Sequence, residues 1–239
     1  MFDFNCDLGE GIGSDIKIMP WITSCNIACG GHYGDRNTIS QTISLAKKHN
    51  VRVGAHPSFN DPKNFGRISA YKNKKDFQNS IKTQLDLFQE VVNEQNAEWS
   101  HIKAHGALYN DMAKNINLAI EFLEVIKEYP KVSLIYLPSG FNKIIDLFKL
   151  NNYKVWREGF ADRRYKNDCA LLDRSSKGSV LSNISEIKNQ ILEFFDGEVT
   201  TITGDTISLK IDTICLHSDT PNASLYVKEL HSMITKKEY

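Results

Sequence analysis

Residues 25–56 read CNIACGGHYGDRNTISQTISLAKKHNVRVGAH, and the order of their pieces decides the fold class. Two short apolar runs, CNIA (25–28) and VRVGAH (51–56), flank a polar stretch in which Ile39, Ile43 and Ala46 recur at helical spacing. A strand, a helix over 36–50 and a second strand make one βαβ unit, whose strands run parallel with a right-handed crossover. Between the first strand and the helix, NIACGGHYGD (26–35) holds more glycine than a turn requires. That excess predicts backbone held close to another group, and backbone N–H groups around an anion would use it.

Outward from this unit the alternation continues. FDFNC (2–6) precedes it as a strand, and 75–93 follows as a helix with Phe77, Ile81, Leu85 and Phe88 on one face. HIKAH (101–105), VSLIYL (132–137), YKVW (153–156) and TICLH (213–217) read as further strands. Helices are predicted at IEFLEVIKEY (120–129), FNKIIDLFKL (141–150), ISEIKNQILEFF (184–195) and from Asn222 onward, with a long loop running to about Ser182. VTTITGDTISLKID (199–212) breaks the pattern, since two short alternating runs around Gly204-Asp205 predict an inserted β-hairpin. About seven β–α units within 239 residues predict one domain, 1–239, folded as a TIM-barrel-like (β/α) barrel. An open doubly wound sheet is the alternative.

Composition narrows the function. Lys+Arg and Asp+Glu are equal at 29 each and no basic tract occurs, so a nucleic-acid partner is not expected. The longest apolar runs are strand-sized, so no membrane span is expected. MFDFNCDLGE carries no basic leader pattern, and five cysteines without a CxxC pair suit a reduced, cytoplasmic setting without thiolate-bound zinc.

In parallel α/β folds, ligands bind beyond the carboxyl ends of the strands. There this chain places Asn5, Asp7 and Glu10; Asn26, His32 and Asp35; His56, Asp61 and Arg67; Lys103 and His105; Asp162 and Arg163; and His217 and Asp219. One strand-end histidine is most often a satisfied core residue, but four of the seven histidines at equivalent positions predict a shared polar site. His49, His101 and His231 read as structural or exposed. Asp7 and Glu10 among imidazoles suit acid–base work. Lys103 points inward from a strand, which is costly without a task. Arg67 and Arg163 suit bidentate grip on a carboxylate or phosphate, with a salt bridge to a loop acid as the plain alternative. GEGIGSD (9–15) lacks the lysine of a phosphate loop and reads as a turn, and Cys29 beside His32 reads as structural before nucleophilic.

Six ordered motifs, DFNCDLGE, NIACGGHYGD, VGAHPSF with FGR, IKAHGALYN, EGFADRRY and ICLHSDT, resemble the LamB/YcsF family. Ala104, Asn60 and Ser218 stand where or near where members carry proline, proline and glycine, so no ionisable group differs. The resemblance implies a barrel similar to the glycoside hydrolase and deacetylase group. It also implies ATP-dependent opening of the 5-oxoproline lactam to L-glutamate, with ATP and Mg2+ as co-substrate and two urea-amidolyase-like partner subunits. On that chemistry Asp7, His56, His105 and His217 are the expected catalytic groups. Asn5, Glu10, Asn26, His32, Arg67, Lys103, Asp162, Arg163 and Asp219 are the expected substrate-binding groups. Two rivals stay open: a metal-dependent carbohydrate hydrolase or deacetylase in which Asp7 and two histidines hold a divalent ion, and a non-catalytic substrate-binding or scaffold subunit. Each of these readings is compatible with a homo-oligomer.

Overall fold

In the computed structural model of the chain, which describes residues 2–235, strand order in space equals strand order in sequence. Strands β1 (Asp3–Leu8), β2 (Ser24–Ala28), β3 (Arg52–His56), β4 (Trp99–Ile102), β5 (Leu134–Pro138) and β6 (Lys154–Phe160) are joined by β9 (Thr213–Cys215), which pairs in parallel with both β6 and β1 and closes a seven-stranded barrel. Around it lie α1 (Asp15–Ile18), α2 (Arg36–His49), α3 (Lys74–Glu94), α4 (Gly106–Lys114), α5 (Ile116–Ile126), α6 (Asn142–Leu150), α7 (Ile184–Asp196) and α8 (Ala223–Thr235). The hairpin expected near Gly204 is present as β7 (Glu198–Thr200) and β8 (Thr206–Ser208), an antiparallel pair outside the barrel.

Local signals explain the boundaries. Asp35 caps α2 by accepting from the Thr38 N–H, Thr38 bonds back to Asp35, and Asn50 ends the helix in the left-handed conformation. The expected single helix at 120–129 is instead the second of two. Asn115 separates them and caps α5 by accepting from the Asn117 and Leu118 N–H groups. The preceding α4 starts straight after His105 with no side-chain cap, so no start signal marks it in the sequence. β4 stops at Ile102, but Lys103 and His105 still donate backbone N–H bonds to the Ala55 and Pro57 carbonyls (3.0 and 2.8 Å), which keeps both on the β3 rim.

Alternation along the strands sends two different populations to the two faces. Phe4, Cys6, Leu8, Ile27, Ile102, Ile135 and Ile214 are buried against the helices. The axis is polar. At its lower end Asp3 accepts from Ser24 Oγ (2.8 Å), Tyr136 Oη (3.1 Å), Thr213 Oγ1 (2.5 Å) and Arg52 Nη2 (2.5 Å). One layer up, Asn5 Nδ2 donates to Glu158 Oε1 (3.0 Å) and Thr213 Oγ1 (2.7 Å), and Asn26 Nδ2 donates to Asn5 Oδ1 and Asp7 Oδ1 (2.8 Å each). His101 Nε2 donates to Asn26 Oδ1 (2.8 Å), and its ring stacks on Tyr136 at 4.2 Å. Gly54 makes room for that ring, since a Cβ there would lie 2.2 Å from His101 Nε2.

Burial pushes His101 down to about 3, a cost to the charged ring that Asp3 only partly offsets. Its folded value lies below its unfolded one, so the unfolded chain binds the extra proton and stability is lost as pH falls below about 6.5. We expect this ring alone to remove on the order of 2 kcal/mol between pH 7 and pH 5. Denaturant titrations at the two pH values should show that loss in the parent chain and a reduced pH slope in His101→Gln.

Candidate active site

Above the polar layers, the rims of β1, β3, β4, β6 and β9 surround a cavity of about 310 Å³. Lys103 stands on its floor. The ammonium is buried and lies 2.8 Å from Asp7 Oδ1, 2.9 Å from Glu158 Oε1 and 3.2 Å from Cys215 Sγ. Burial disfavours its charge, but the carboxylate of Asp7, with Cys215 and Glu158, outweighs burial and holds Lys103 well above the ordinary lysine range. Burial likewise opposes ionisation of Asp7; His56 and Lys103 overcome it and hold that carboxyl well below its usual value.

Around Asp7 three imidazoles gather. His56 Nε2 is 3.3 Å from Asp7 Oδ2, and His105 Nδ1 is 2.9 Å from His56 Nε2 and 3.2 Å from Glu10 Oε1. His32 stacks on His105 at 3.6 Å and meets Glu10 Oε1 through Nε2 at 2.9 Å. Burial pushes His32 down to about 3, with His105 adding to the effect, so its ring is neutral and Nε2–H donates to Glu10. Ser58 Oγ lies 3.0 Å from His32 Nδ1 and donates to the Phe59 carbonyl (2.9 Å). Glu10 ionises despite burial because His105 and His32 bond to it, which holds it well below the ordinary carboxylate range. Among the described residues, Asp7 with His56 and His105, Glu10 with His32 and His105, and Asp7 with Cys215 and His217 each present ligand atoms close enough to share a metal ion.

On the opposite rim His217 Nδ1 donates to Asp162 Oδ1 (2.9 Å), while Thr220 and the His217 backbone N–H bond the other oxygen. With Nδ1 engaged, Nε2 is the atom left for chemistry. Asp219 spans the mouth, accepting from Arg67 Nη2 at 2.5 Å and from Arg174 Nη2 at 2.6 Å. Arg163 is buried beside them and donates to the Leu172 carbonyl (2.7 Å).

Of the residues expected to touch substrate, Glu10, Arg67, Lys103, Arg163 and Asp219 line the cavity, as do Asp7, His56, His105 and His217. Asn5, Asn26, His32 and Asp162 do not: each is buried behind the wall and spends its polar atoms on neighbouring site residues. Their place is in orientation, because a strand-end residue whose side chain enters the axis lies below the rim. The glycines of NIACGGHYGD are likewise used internally. A Cβ on Gly31 would meet Ser58 Oγ at 2.3 Å and Gln84 Oε1 at 2.5 Å, so Gly31 packs against protein atoms where an anion was expected. Gln84 pairs with both the N–H and the carbonyl of Ser58 (2.9 Å each), fixing the loop that carries the His32 partner. Burial pushes Cys29 up to about 12, which removes it as a nucleophile at neutral pH. Sequence reasoning missed Glu158 and Arg174. Glu158 had a signal, a lone acid opening EGFADRRY within a buried strand; Arg174 sits in a patternless loop and had none.

Comparison with known proteins places these residues in a family context. The LamB/YcsF family profile matches residues 2–239. The A-type 5-oxoprolinase subunit of Pyrococcus furiosus is 38% identical over 227 residues, covering 92% of this chain and 89% of that protein. Its Neisseria meningitidis counterpart is 35% identical over 230 residues, covering 95% of this chain and 93% of that protein. The crystal structure of a lactam utilization protein from Thermus thermophilus superposes with a TM-score of 0.85 at 27% identity, covering 97% of this chain and 96% of that one.

Lys103→Met keeps the unbranched stem of the side chain and removes its charged end, leaving Asp7 and Glu158 buried without their ammonium. We expect a loss of about 3–5 kcal/mol at pH 7 by denaturant unfolding. The loss should shrink at pH 5, because Asp7 without Lys103 takes up a proton more readily. A loss that is the same at both pH values would contradict this electrostatic account.

Proposed function

The chain belongs to the LamB/YcsF family, and from that premise we propose that it is the A-type component of a multi-subunit 5-oxoprolinase and provides its lactam-opening site. The observation that carries this reading is one cavity holding both a carboxylate–imidazole cluster and an arginine pair closed by an internal carboxylate. The substrate, 5-oxoproline, is a lactam that carries a carboxylate. The relatives are named as one lettered component of 5-oxoprolinase, which supports the presence of further subunits, and we propose two urea-amidolyase-like partners.

Amide resonance makes the lactam carbonyl a poor electrophile. In the proposed sequence the γ-phosphoryl group of ATP, delivered with Mg2+, is transferred to the lactam oxygen and releases ADP. Water then adds to the activated carbon as the cluster of Asp7, Glu10, His56 and His105 takes its proton. The C–N bond breaks with its electron pair going to the ring nitrogen, which takes a proton from His217, itself oriented by Asp162. A γ-glutamyl phosphate results, and a second water releases phosphate and L-glutamate. The Lys103 ammonium stabilises the negative charge of the developing oxyanion. The substrate carboxylate replaces Asp219 between Arg67 and Arg174, an exchange of one bidentate partner for another.

Glutamate release from 5-oxoproline and ATP, measured with the chain, its partners and their mixture, tests this reading. In the assembled mixture Asp7→Asn and His105→Gln should each lower kcat about 10²–10⁴-fold. Unchanged turnover in a folded, assembled complex would return the chain to a scaffold role. Arg174→Ala should raise KM for 5-oxoproline about tenfold or more while leaving kcat largely intact, on the order of the 1.5–3 kcal/mol a charge-assisted bond contributes.

A further inference from the structure

On the cavity floor a nitrogen of His56 and one of His105 face each other, with one oxygen of Asp7 and one of Glu10 beside them. His56 Nδ1–H donates to the Lys103 carbonyl (2.8 Å), and His105 Nε2–H donates to the Phe65 carbonyl (2.9 Å). A carbonyl only accepts, so each neutral ring carries its lone pair on the other nitrogen. Those two nitrogens, His56 Nε2 and His105 Nδ1, face each other at 2.9 Å. Asp7 Oδ2 lies 3.3 Å from the first, and Glu10 Oε1 lies 3.2 Å from the second and 3.8 Å from the first. With both rings neutral these four acceptors repel unless a cation sits among them, either a proton on one ring, which is how His105 bonds to Glu10, or a metal ion in its place.

The charges agree with the geometry. Asp7, Glu10 and Glu158 are buried here against the single ammonium of Lys103, a balance of minus two with neutral rings. A tetrahedral site with metal–ligand bonds of about 2.0–2.1 Å has six ligand–ligand edges of about 3.3–3.4 Å, and four of them are seen here at 2.9, 3.2, 3.3 and 3.8 Å. The outer contacts are those of a prepared site. Lys103 and Asn26 engage Asp7 Oδ1 and leave Oδ2 free, His32 anchors Glu10, and backbone carbonyls fix both ring tautomers.

We propose that Asp7, Glu10, His56 and His105 bind one divalent first-row transition ion, of the Zn2+ or Co2+ class. The mixed imidazole and carboxylate set matches that class and not Mg2+ or Ca2+, which take oxygen ligands. All four residues line the open cavity, so an ion held there would supply Lewis acidity only by taking an oxygen from the cavity as a fifth ligand. The site rests on the lactam reading only for what the ion acts upon, and its binding is measured without substrate, partners or ATP.

The test is calorimetric titration of the chelator-treated full chain with Zn2+, alongside the visible absorption of its Co2+ form. We expect one equivalent bound at micromolar affinity or tighter, with a Co2+ d–d band of nitrogen–oxygen ligation. His56→Gln and Glu10→Gln, each checked for folding by circular dichroism, should weaken binding about 10–100-fold or more. Failure of the parent chain to bind either ion would overturn the proposal and leave a shared proton as the cation of the cluster. Binding that neither substitution weakens would overturn it equally. Lactam turnover absent with the ion bound would instead count against the proposed substrate, so the two ideas fail separately.

Discussion

The ammonium of Lys103 is the charge around which the barrel interior is arranged. It sits on the axis, 5.3 Å from the centre of the Phe160 ring, and bridges Asp7 on β1 to Glu158 on β6. Isolated, any of these three charges would be too costly to bury; together they are tolerated because each is also hydrogen-bonded. Glu158 accepts from Tyr109 and Asn5, and Asp7 accepts from Asn26. Below them Asn26 accepts from His101, and that ring needs the missing side chain of Gly54. Among the described residues, the buried polar side-chain atoms without a partner are on Ser14, Asp61, Glu121 and Ser218, none of them on this axis. A polar barrel centre of this kind contributes little net stability over an apolar one, but it permits few arrangements of its members.

That rigidity passes upward into the site. Asp7 presents one carboxylate oxygen because the other is held from below, and His56 presents one nitrogen because the other is bound to the Lys103 carbonyl. The opposite rim repeats the device, with Asp162 holding His217. The mouth is built differently: Arg67, Arg174 and Asp219 come from three separate loops and are partly exposed. Such pairs are individually weak, which suits a contact that a ligand must displace.

Much of this was legible in the chain. Helical spacing at Ile39, Ile43 and Ala46 between two apolar runs gave the βαβ unit, and its repetition gave the barrel. Histidines ending apolar runs marked the rim, since the backbone geometry of parallel strands puts their carboxyl ends on one side. The expectations that the cavity lining does not match share a cause. Asn5, Asn26 and His32 have the same polar character as ligand-binding groups, and only depth along the axis separates support from contact. Arg174 gains its meaning from Asp219, 45 residues away in sequence, and no local pattern records that pairing.

By itself the sequence determined the strand and helix alternation, the family and the chemical inventory at the strand ends, because periodicity and motif order are properties of the linear chain. The tertiary structure alone decided which nitrogen of each imidazole faces the cavity, how many buried charges share one lysine, and which acid closes the arginine pair. These depend on distances of about 3 Å between residues far apart in the chain, and such distances exist only once the barrel has closed.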